Sequence, residues 1–491
     1  MFRSRMAILY IHPVWRVQGG FQLQRHMNDP EAFDDGLPVP RRYFAILAVA
    51  FGTALAVIDG SIATVALPTL ATDLSIRPSS AVLVVTVYQL VLVMTLLPFS
   101  ALGNRIGLRR LYQYGQLLFL ISTILCFFAK NLPLLLVVRA MQALGAGAAL
   151  SVSSALIRAI YPSGQLGRGL GINNVVVTSA SALAPTLGGL VLSVATWPWI
   201  FAAAAPLAFL SLLLGRRMLP DIPPRATHYD VVGALLCALT FGLVIGGLEG
   251  TVHGSSSLIS LGTVAAGAAT AYVFVRRELK TTTPILPVDL LAKPALALST
   301  IGGLAAFVAS MTLILSLPFR LQHDYGFSPG VVGATITPWP LAAMISAPIA
   351  GVLSDRFPAG VLGGIGMAVA TVALLLLGYL PVHVAQFDLA WRMALCGAGF
   401  GLFLAPNARL ILQSAPHSRA ASAGGLISTT RLTGQTLGAT LLAALLSLGV
   451  GAGRTPALVA AALAFIACIC SLARLSPRLR VAAPVEIRDV A

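Results

Sequence analysis

The sequence predicts an all-α polytopic membrane protein, with two related six-helix bundles, a two-helix hairpin inserted between them, and fourteen transmembrane helices in all. Three observations carry this reading. Of 491 residues, 57% are hydrophobic and only 10% charged, where a soluble chain keeps about a quarter charged. Apolar runs of membrane-crossing length recur from end to end. A short phrase also occurs twice, each time after a long apolar run: Ser100-Ala101-Leu102-Gly103-Asn104-Arg105 and Gly351-Val352-Leu353-Ser354-Asp355-Arg356. The copies lie 251 positions apart, at 104 and 355. A tight basic loop repeated at that distance implies two related halves.

The elements follow in order. Residues 1–41 are a polar tail with Arg3, Arg5, Arg16 and Arg25 and an acidic cluster from Asp29 to Asp35. It lacks the apolar core and cleavage site of a secretory signal, and Met27 offers an alternative start. Residues 42–215 form the first bundle, with spans at 43–67, 80–102, 111–129, 132–159, 167–195 and 198–215. Residues 216–294 form a linker holding the hairpin, spans 231–250 and 257–275, flanked by Arg216-Arg217 and Arg276-Arg277. Residues 295–475 form the second bundle, with spans at 295–318, 331–353, 360–380, 390–413, 420–448 and 456–474; residues 476–491 are a second tail. Helices are expected because lipid requires each segment to satisfy its own backbone.

The net charge of +16 and the pI near 10.4 do not indicate nucleic acid. The basic residues sit in short loops, without a basic stripe interleaved with aromatics. Nineteen, Arg474 at the end of the last span among them, fall on the face that carries both tails; only Arg77, Lys130, Arg320, Arg392 and Arg454 fall on the other. That asymmetry places both termini in the cytoplasm, in a plasma (inner) membrane. All five cysteines lie within apolar runs, as small buried hydrophobes do. The seven histidines lie in the N-terminal tail or in loops, so no intramembrane metal cluster is expected. The P-loop pattern is absent, which excludes direct ATP drive.

Four segments carry chemistry. Asp59, in Ile58-Asp59-Gly60-Ser61-Ile62-Ala63-Thr64-Val65-Ala66-Leu67-Pro68, lies 16 residues past Tyr43, about 24 Å along a helix. A carboxylate at the bilayer centre costs roughly 2.5–3.5 kcal/mol on insertion scales, so it normally serves a function. It can exchange a proton or pair with a cationic substrate, or act as a structural carboxylate bonded to nearby hydroxyls. The first copy of the repeated phrase continues as Ile106-Gly107-Leu108-Arg109-Arg110. Arg139, in Arg139-Ala140-Met141-Gln142-Ala143-Leu144-Gly145-Ala146-Gly147, lies about 10 Å inside its span. It needs buried partners, unless it snorkels to the interface. Finally, Ala180-Ser181-Ala182-Leu183-Ala184-Pro185-Thr186-Leu187-Gly188-Gly189 combines a helix-kinking proline with glycines that permit close packing.

Together these segments, spread over residues 42 to about 475, resemble the major facilitator superfamily, and within it the fourteen-span drug:proton antiporters. The first is similar to L-D-x-T-I-V-N-V-A-L-P, with Thr64 at the usual Asn. The second resembles G-x-L-a-D-R-x-G-R-[KR], matched at Arg105, Gly107, Arg109 and Arg110, while Ser100 and Asn104 replace Gly and Asp. The third resembles R-x-x-Q-G-x-G-A. The fourth resembles the antiporter signature G-x-x-x-G-P-x-x-G-G, retaining Pro185, Gly188 and Gly189 but with alanines at both leading glycines.

The resemblance implies a major facilitator fold and a secondary transporter, not an enzyme. It implies proton or cation coupling through Asp59 and Arg139. A cytoplasmic gate at Asn104, Arg105, Gly107, Arg109 and Arg110 and at Asp355 and Arg356 is also implied, the neutral Asn104 making the weaker latch. Polar and aromatic residues within spans nominate a substrate pocket: Tyr88, Gln89, Gln142, Asn173, Asn174, Trp339, Asn407 and Arg431. Glu249 ends its span, where an interfacial role is expected, leaving Asp59 as the one mid-span acid.

The expected activity is export of drugs or toxic compounds, cationic or lipophilic, in exchange for protons. The runner-up is a proton-coupled carrier of a specific metabolite or organic anion. No cofactor is expected beyond the proton gradient. The expected partners are substrate, protons and the lipid bilayer; a periplasmic adaptor is allowed for, and otherwise the protein acts as a monomer.

Overall fold

The computed structural model describes residues 36–224, 229–281, 284–381, 383–414 and 419–476. The alternative starts at Met1 and Met27, the tail to residue 35 and the tail from 477 lie outside the described residues. The described residues form helices joined by short connections. The first bundle comprises α1 (Arg41–Asp73), α2 (Pro78–Ile106), α3 (Leu108–Phe127), α4 (Leu132–Ile160), α5 (Leu166–Val194), and the consecutive α6 (Pro198–Ala202) and α7 (Ala205–Met218). The hairpin is α8 (Val231–Val252) and α9 (Ser257–Glu278). The second bundle comprises α10 (Pro294–His323), the consecutive α11 (Pro329–Ile336) and α12 (Pro338–Leu353), α13 (Ala359–Gly378), α14 (Gln386–Ser414), α15 (Ala420–Ser447) and α16 (Thr455–Ala473).

Local chemistry sets these ends. Prolines open α2, α10 and α11 at their first position, where the missing N–H costs nothing. Asn131 caps α4 by accepting from the Leu134 amide at 3.0 Å, and Asp230 caps α8 through Gly233 at 2.9 Å. The spans expected at 198–215 and 331–353 are each broken. In the second, Pro338 and Pro340 remove amide donors after Thr337.

Among the described residues, twelve helical segments are long and apolar enough to cross a membrane. The two that fall short are α3 and α15. The first opens with Arg109 and Arg110 and carries Gln113 and Gln116. The second is rich in Ser, Thr and Gly and holds Arg431. Both pack as full members of their bundles, so these are fourteen crossings with the polar burden concentrated on two.

The repeat is legible in the packing. In the first half a Cβ on Gly115 would lie 2.7 Å from the Gly145 carbonyl oxygen, and one on Gly145 2.6 Å from the Gly115 oxygen. In the second half Gly366 and Gly399 stand in the same reciprocal relation, at 2.6 and 2.5 Å. Gly366 is 251 positions after Gly115, the same offset as the repeated phrase. Small residues at these crossings let α3 meet α4, and α13 meet α14, backbone to backbone.

The halves meet at the end remote from the repeated loops, here called the far end. Leu67 and Leu70 of α1 pack with Leu315 and Phe319 of α10, and Gln322 donates to the Val65 carbonyl at 3.4 Å. On α5, Pro185 and Gly189 lie against α11, where a Cβ on Gly189 would stand 2.6 Å from the Pro329 oxygen. The same helical stripe continues to Thr178 and Asn174, four and eleven residues back from Ala182 and Pro185, and there it is exposed. The α5 seam is therefore shut at the far end and open at the end bearing the basic loops. A lateral seam, α2 on α15, runs the whole length, from Val82 and Val85 against Leu442 and Ala443 to Leu97 beside Gly425.

Candidate transport site

Asp59 of α1 and Arg139 of α4 are both fully buried, with Arg139 Nη1 2.6 Å from Asp59 Oδ2. Gln142, one helical turn from Arg139, completes the group. Its amide donates to Asp59 Oδ1 at 3.0 Å and to Thr123 Oγ1 at 2.9 Å, and its oxygen accepts from Arg139 Nη1 at 2.6 Å. Arg139 Nε donates to the Val84 carbonyl of α2 at 3.3 Å. The guanidinium lies 4.3 Å from the Tyr88 ring and 5.0 Å from the Phe201 ring, where cation–π attraction adds to the pairing. Tyr88 is held in turn by its hydroxyl, which donates to the Ala56 carbonyl at 3.1 Å.

A paired and hydrogen-bonded carboxylate is tolerable in this setting where a bare one is not. The arrangement binds α1, α2, α3 and α4 together through one charge pair. It is sealed, with Asp59, Tyr88, Arg139 and Gln142 all 0% exposed. Tyr88 and Gln142, expected on the wall of a substrate pocket, instead belong to this closed group.

The remaining expected residues are scattered. Asn173 of α5 accepts from the Thr53 hydroxyl of α1 at 2.9 Å, and Asn174 beside it is exposed. Gln89 is buried on α2. Trp339 packs its ring 5.7 Å from that of Phe400, and its carbonyl oxygen would stand 2.0 Å from a Cβ on Gly397. Asn407 of α14 receives Arg474 Nη1 at 2.7 Å and donates to the Ser299 carbonyl at 3.1 Å. Arg474, read from the sequence as a loop marker, is thus a buried cation held by neutral oxygens, with Ser299 and Ser471 as its other partners.

Arg431 differs from all of these. On α15, Gly434 and Gly438 face α10, Gly425 faces α2, and Thr440 faces α8. The stripe left over, at 424, 428, 431 and 435, is half-buried. Arg431 makes no hydrogen bond or ion pair among the described residues.

At the basic end the two copies of the repeated phrase behave differently. Gly107, with φ +101°, turns the chain between α2 and α3. Arg109 reaches Asp221 at 3.9 Å and donates to the Arg216 carbonyl, tying the start of α3 to the last turn of α7 and the segment after it. Asn104, Arg105 and Arg110 are exposed. In the second copy, Asp355 pairs with Arg409 of α14 at 2.5 Å, and Arg356 is exposed. On α5, Pro185 and Gly189 meet α11, while Gly188 faces α1, where a Cβ would stand 2.9 Å from the Ile62 oxygen.

Sequence reasoning missed Thr123, Phe201 and the Val84 carbonyl around Asp59, because a hydroxyl, a ring and a backbone oxygen carry no distinctive pattern. It also missed Arg409, whose signal was available: Arg158 stands 251 positions earlier.

Comparison with known proteins agrees with this architecture. The family description "Major Facilitator Superfamily" matches residues 49–431 and, overlapping, 298–488. The chain is 43% identical to the "Uncharacterized transporter YebQ" of Escherichia coli over 92% of its own length and 100% of that protein. It is 28% identical to the "Riboflavin transporter RibZ" of Clostridioides difficile, covering 80% of this chain and 85% of the other. To the "Multidrug resistance protein Stp" of Mycobacterium tuberculosis it is 29% identical, covering 84% and 77%. A solved bacterial homologue of the lysosomal transporter Spinster, in an inward-facing state, matches with a TM-score of 0.63 at 17% identity, covering 91% of this chain and 100% of that one. The chain belongs to the major facilitator superfamily, a family of multi-pass membrane transporters and not of enzymes.

Proposed function

We propose that this transporter exports drugs or other toxic compounds, cationic or lipophilic, in exchange for protons by alternating access. The observation that carries the reading is the sealed Asp59–Arg139 pair. A proton arriving on Asp59 cancels the carboxylate and leaves the Arg139 guanidinium without its counter-ion. It therefore loosens α1 from α4. The same helix α1 bears Ala63, Leu67 and Leu70, at four, eight and eleven residues beyond Asp59, which seal the far end with α10. Protonation and far-end closure thus act through one continuous helix, as a proton-driven alternation requires. Each proton entering supplies about 2.3 kcal/mol per 100 mV, plus the pH gradient.

The basic loops support a plasma-membrane orientation with both termini in the cytoplasm, so that the open seam faces inward. The likeness to Stp supports a drug substrate. Asp59→Asn, assayed by proton-driven dye efflux in everted vesicles, is expected to abolish transport; undiminished efflux overturns the reading.

A second reading has its own observation. Asp59 is neutralised by Arg139, whereas Arg431, half-buried on α15, makes no hydrogen bond or ion pair among the described residues. That unpaired cation suits a substrate bearing a carboxylate or another anionic group. In proteoliposomes, Arg431→Gln would then reduce transport of anionic compounds alone and spare cationic dyes.

A further inference from the structure

We propose that Glu249 and His253, at the far end of the inserted hairpin, form a second proton-binding site that ties the hairpin to the seam between the two halves. From its place in the sequence, three residues before the end of α8, Glu249 looks interfacial. The neighbouring helices show otherwise, because α8 ends short of them. The Glu249 carboxylate accepts from the Thr440 hydroxyl at 2.6 Å, and Thr440 lies seven residues inside the end of α15. It also faces Thr86, eight residues into α2. Both spacings put it about 10–12 Å below the far end. Glu249 is 8% exposed.

The same stretch of α2 carries Val84 and Tyr88, which meet Arg139. Two buried acids thus flank α2 at one depth, Asp59 on the bundle side and Glu249 on the hairpin side.

The surroundings of Glu249 are built for a proton. Oε1 takes the Thr440 hydroxyl, but Oε2 receives no hydrogen bond. His253 Nδ1 stands 3.4 Å from that oxygen and 2.9 Å from the Glu249 carbonyl, while Nε2 faces the Ser79 carbonyl at 3.3 Å. All three atoms facing the ring nitrogens are acceptors. A neutral imidazole has one N–H and meets one of them with a lone pair; a ring protonated on both nitrogens serves both sides. Among the described residues the other packed elements bring no titratable group: α2 contributes Thr86 and the Ser79 carbonyl, α15 contributes Thr440, and α9 contributes Ser260 beside Gly250. The His253 side chain is 20% exposed and that of Glu249 10%, so the imidazole is the way in from the far end. A proton taken up here weakens the acceptor that Thr440 uses to hold α15 to α8, directly on the α2–α15 seam.

The test needs no substrate, so its failure is separable from failure of the exporter reading. Infrared pH-difference spectra of the full chain in nanodiscs report the carboxyl C=O stretch of each buried acid. Glu249→Gln is expected to remove one buried-carboxyl transition that Asp59→Asn retains. His253→Asn is expected to keep that transition and move its midpoint by about one pH unit. Spectra of Glu249→Gln that superimpose on the wild type overturn the proposal. Should that variant not fold, an unmoved midpoint in His253→Asn overturns it equally.

Discussion

Asp355 pairs with Arg409 across the end of α14 at 2.5 Å, and the residues 251 positions earlier, Asn104 and Arg158, are both exposed and unpaired among the described residues. The two halves therefore carry the same cation at the same place, but only one carries the acid that engages it. Asparagine is nearly isosteric with aspartate, so the first half has the geometry of the pair without its charge.

Restoring the acid should restore the pair. Asn104→Asp is expected to add an exposed ion pair with Arg158, worth about 0.2–1 kcal/mol. Thermal unfolding in detergent, run as a double-mutant cycle with Arg158→Ala, reads the coupling directly. High salt should erase it. Spin-label distances between the loops after α2 and α12 should also shift toward closure at the basic end. A coupling of zero would mean that the two positions do not meet.

The buried pair should respond quite differently. Asp59→Asn leaves the buried Arg139 guanidinium without a counter-charge, its acceptors reduced to neutral oxygens: the introduced amide, Gln142 and the Val84 carbonyl. Breaking a buried pair from one side costs about 3–5 kcal/mol. The double variant Asp59→Asn/Arg139→Gln removes both charges and should recover part of that loss. The expected order of Tm is therefore wild type, then double, then Asp59→Asn. If the single variant is no less stable than the double, Arg139 finds water when its partner is gone.

What could be read from the chain followed from how strongly lipid constrains it. Fourteen crossings were visible because each must bury its own backbone, and α5 falls within a residue of the expected 167–195. The break at Thr337 was not visible, since a proline inside an apolar run is compatible with either a kink or an interruption. Asp59, Arg139 and Gln142 stood out as costly residue types, but their meeting depends on the relative rotation of α1 and α4, which no local pattern encodes. Glu249 and Arg474 were misplaced for one shared reason. Their depth is set by the ends of neighbouring helices rather than by their own, so a charge at the edge of an apolar run looked solvated when it was enclosed.

Outside the spans, Asp289 gives a pH signature. Arg419 donates to both its oxygens, one bond measuring 2.9 Å, and this hydrogen bonding holds the Asp289 carboxyl below its ordinary value. A carboxyl with a lowered folded-state pKa stabilises the fold above the unfolded value, about 3.9. That stability is lost as the pH falls through the folded value. The pair is largely exposed, so the contribution is small, about 0.2–1 kcal/mol. Asp289→Asn should leave the chain slightly less stable at neutral pH and indistinguishable from wild type once the acid is protonated. A difference that persisted below pH 3 would point to packing around Leu290 rather than to charge.

The far-end closure rests on a contact that admits no side chain. A Cβ on Gly333 would lie 2.3 Å from the Pro185 carbonyl oxygen and 3.3 Å from the Gly189 backbone, so neither neighbour can rotate away. Overpacking of this kind costs about 1–3 kcal/mol, and it falls only on the state in which α5 and α11 touch. Gly333→Ala should therefore shift the population toward an open far end, seen as a longer distance between labels at Val194 and Ser328. Gly330→Ala is the matched control, since its Cβ would meet nothing closer than 3.7 Å. It should leave the distance unchanged. Equal distances in the two variants would mean that the seam is held by the α1–α10 contact alone, and that the Pro185 segment follows the closure without making it.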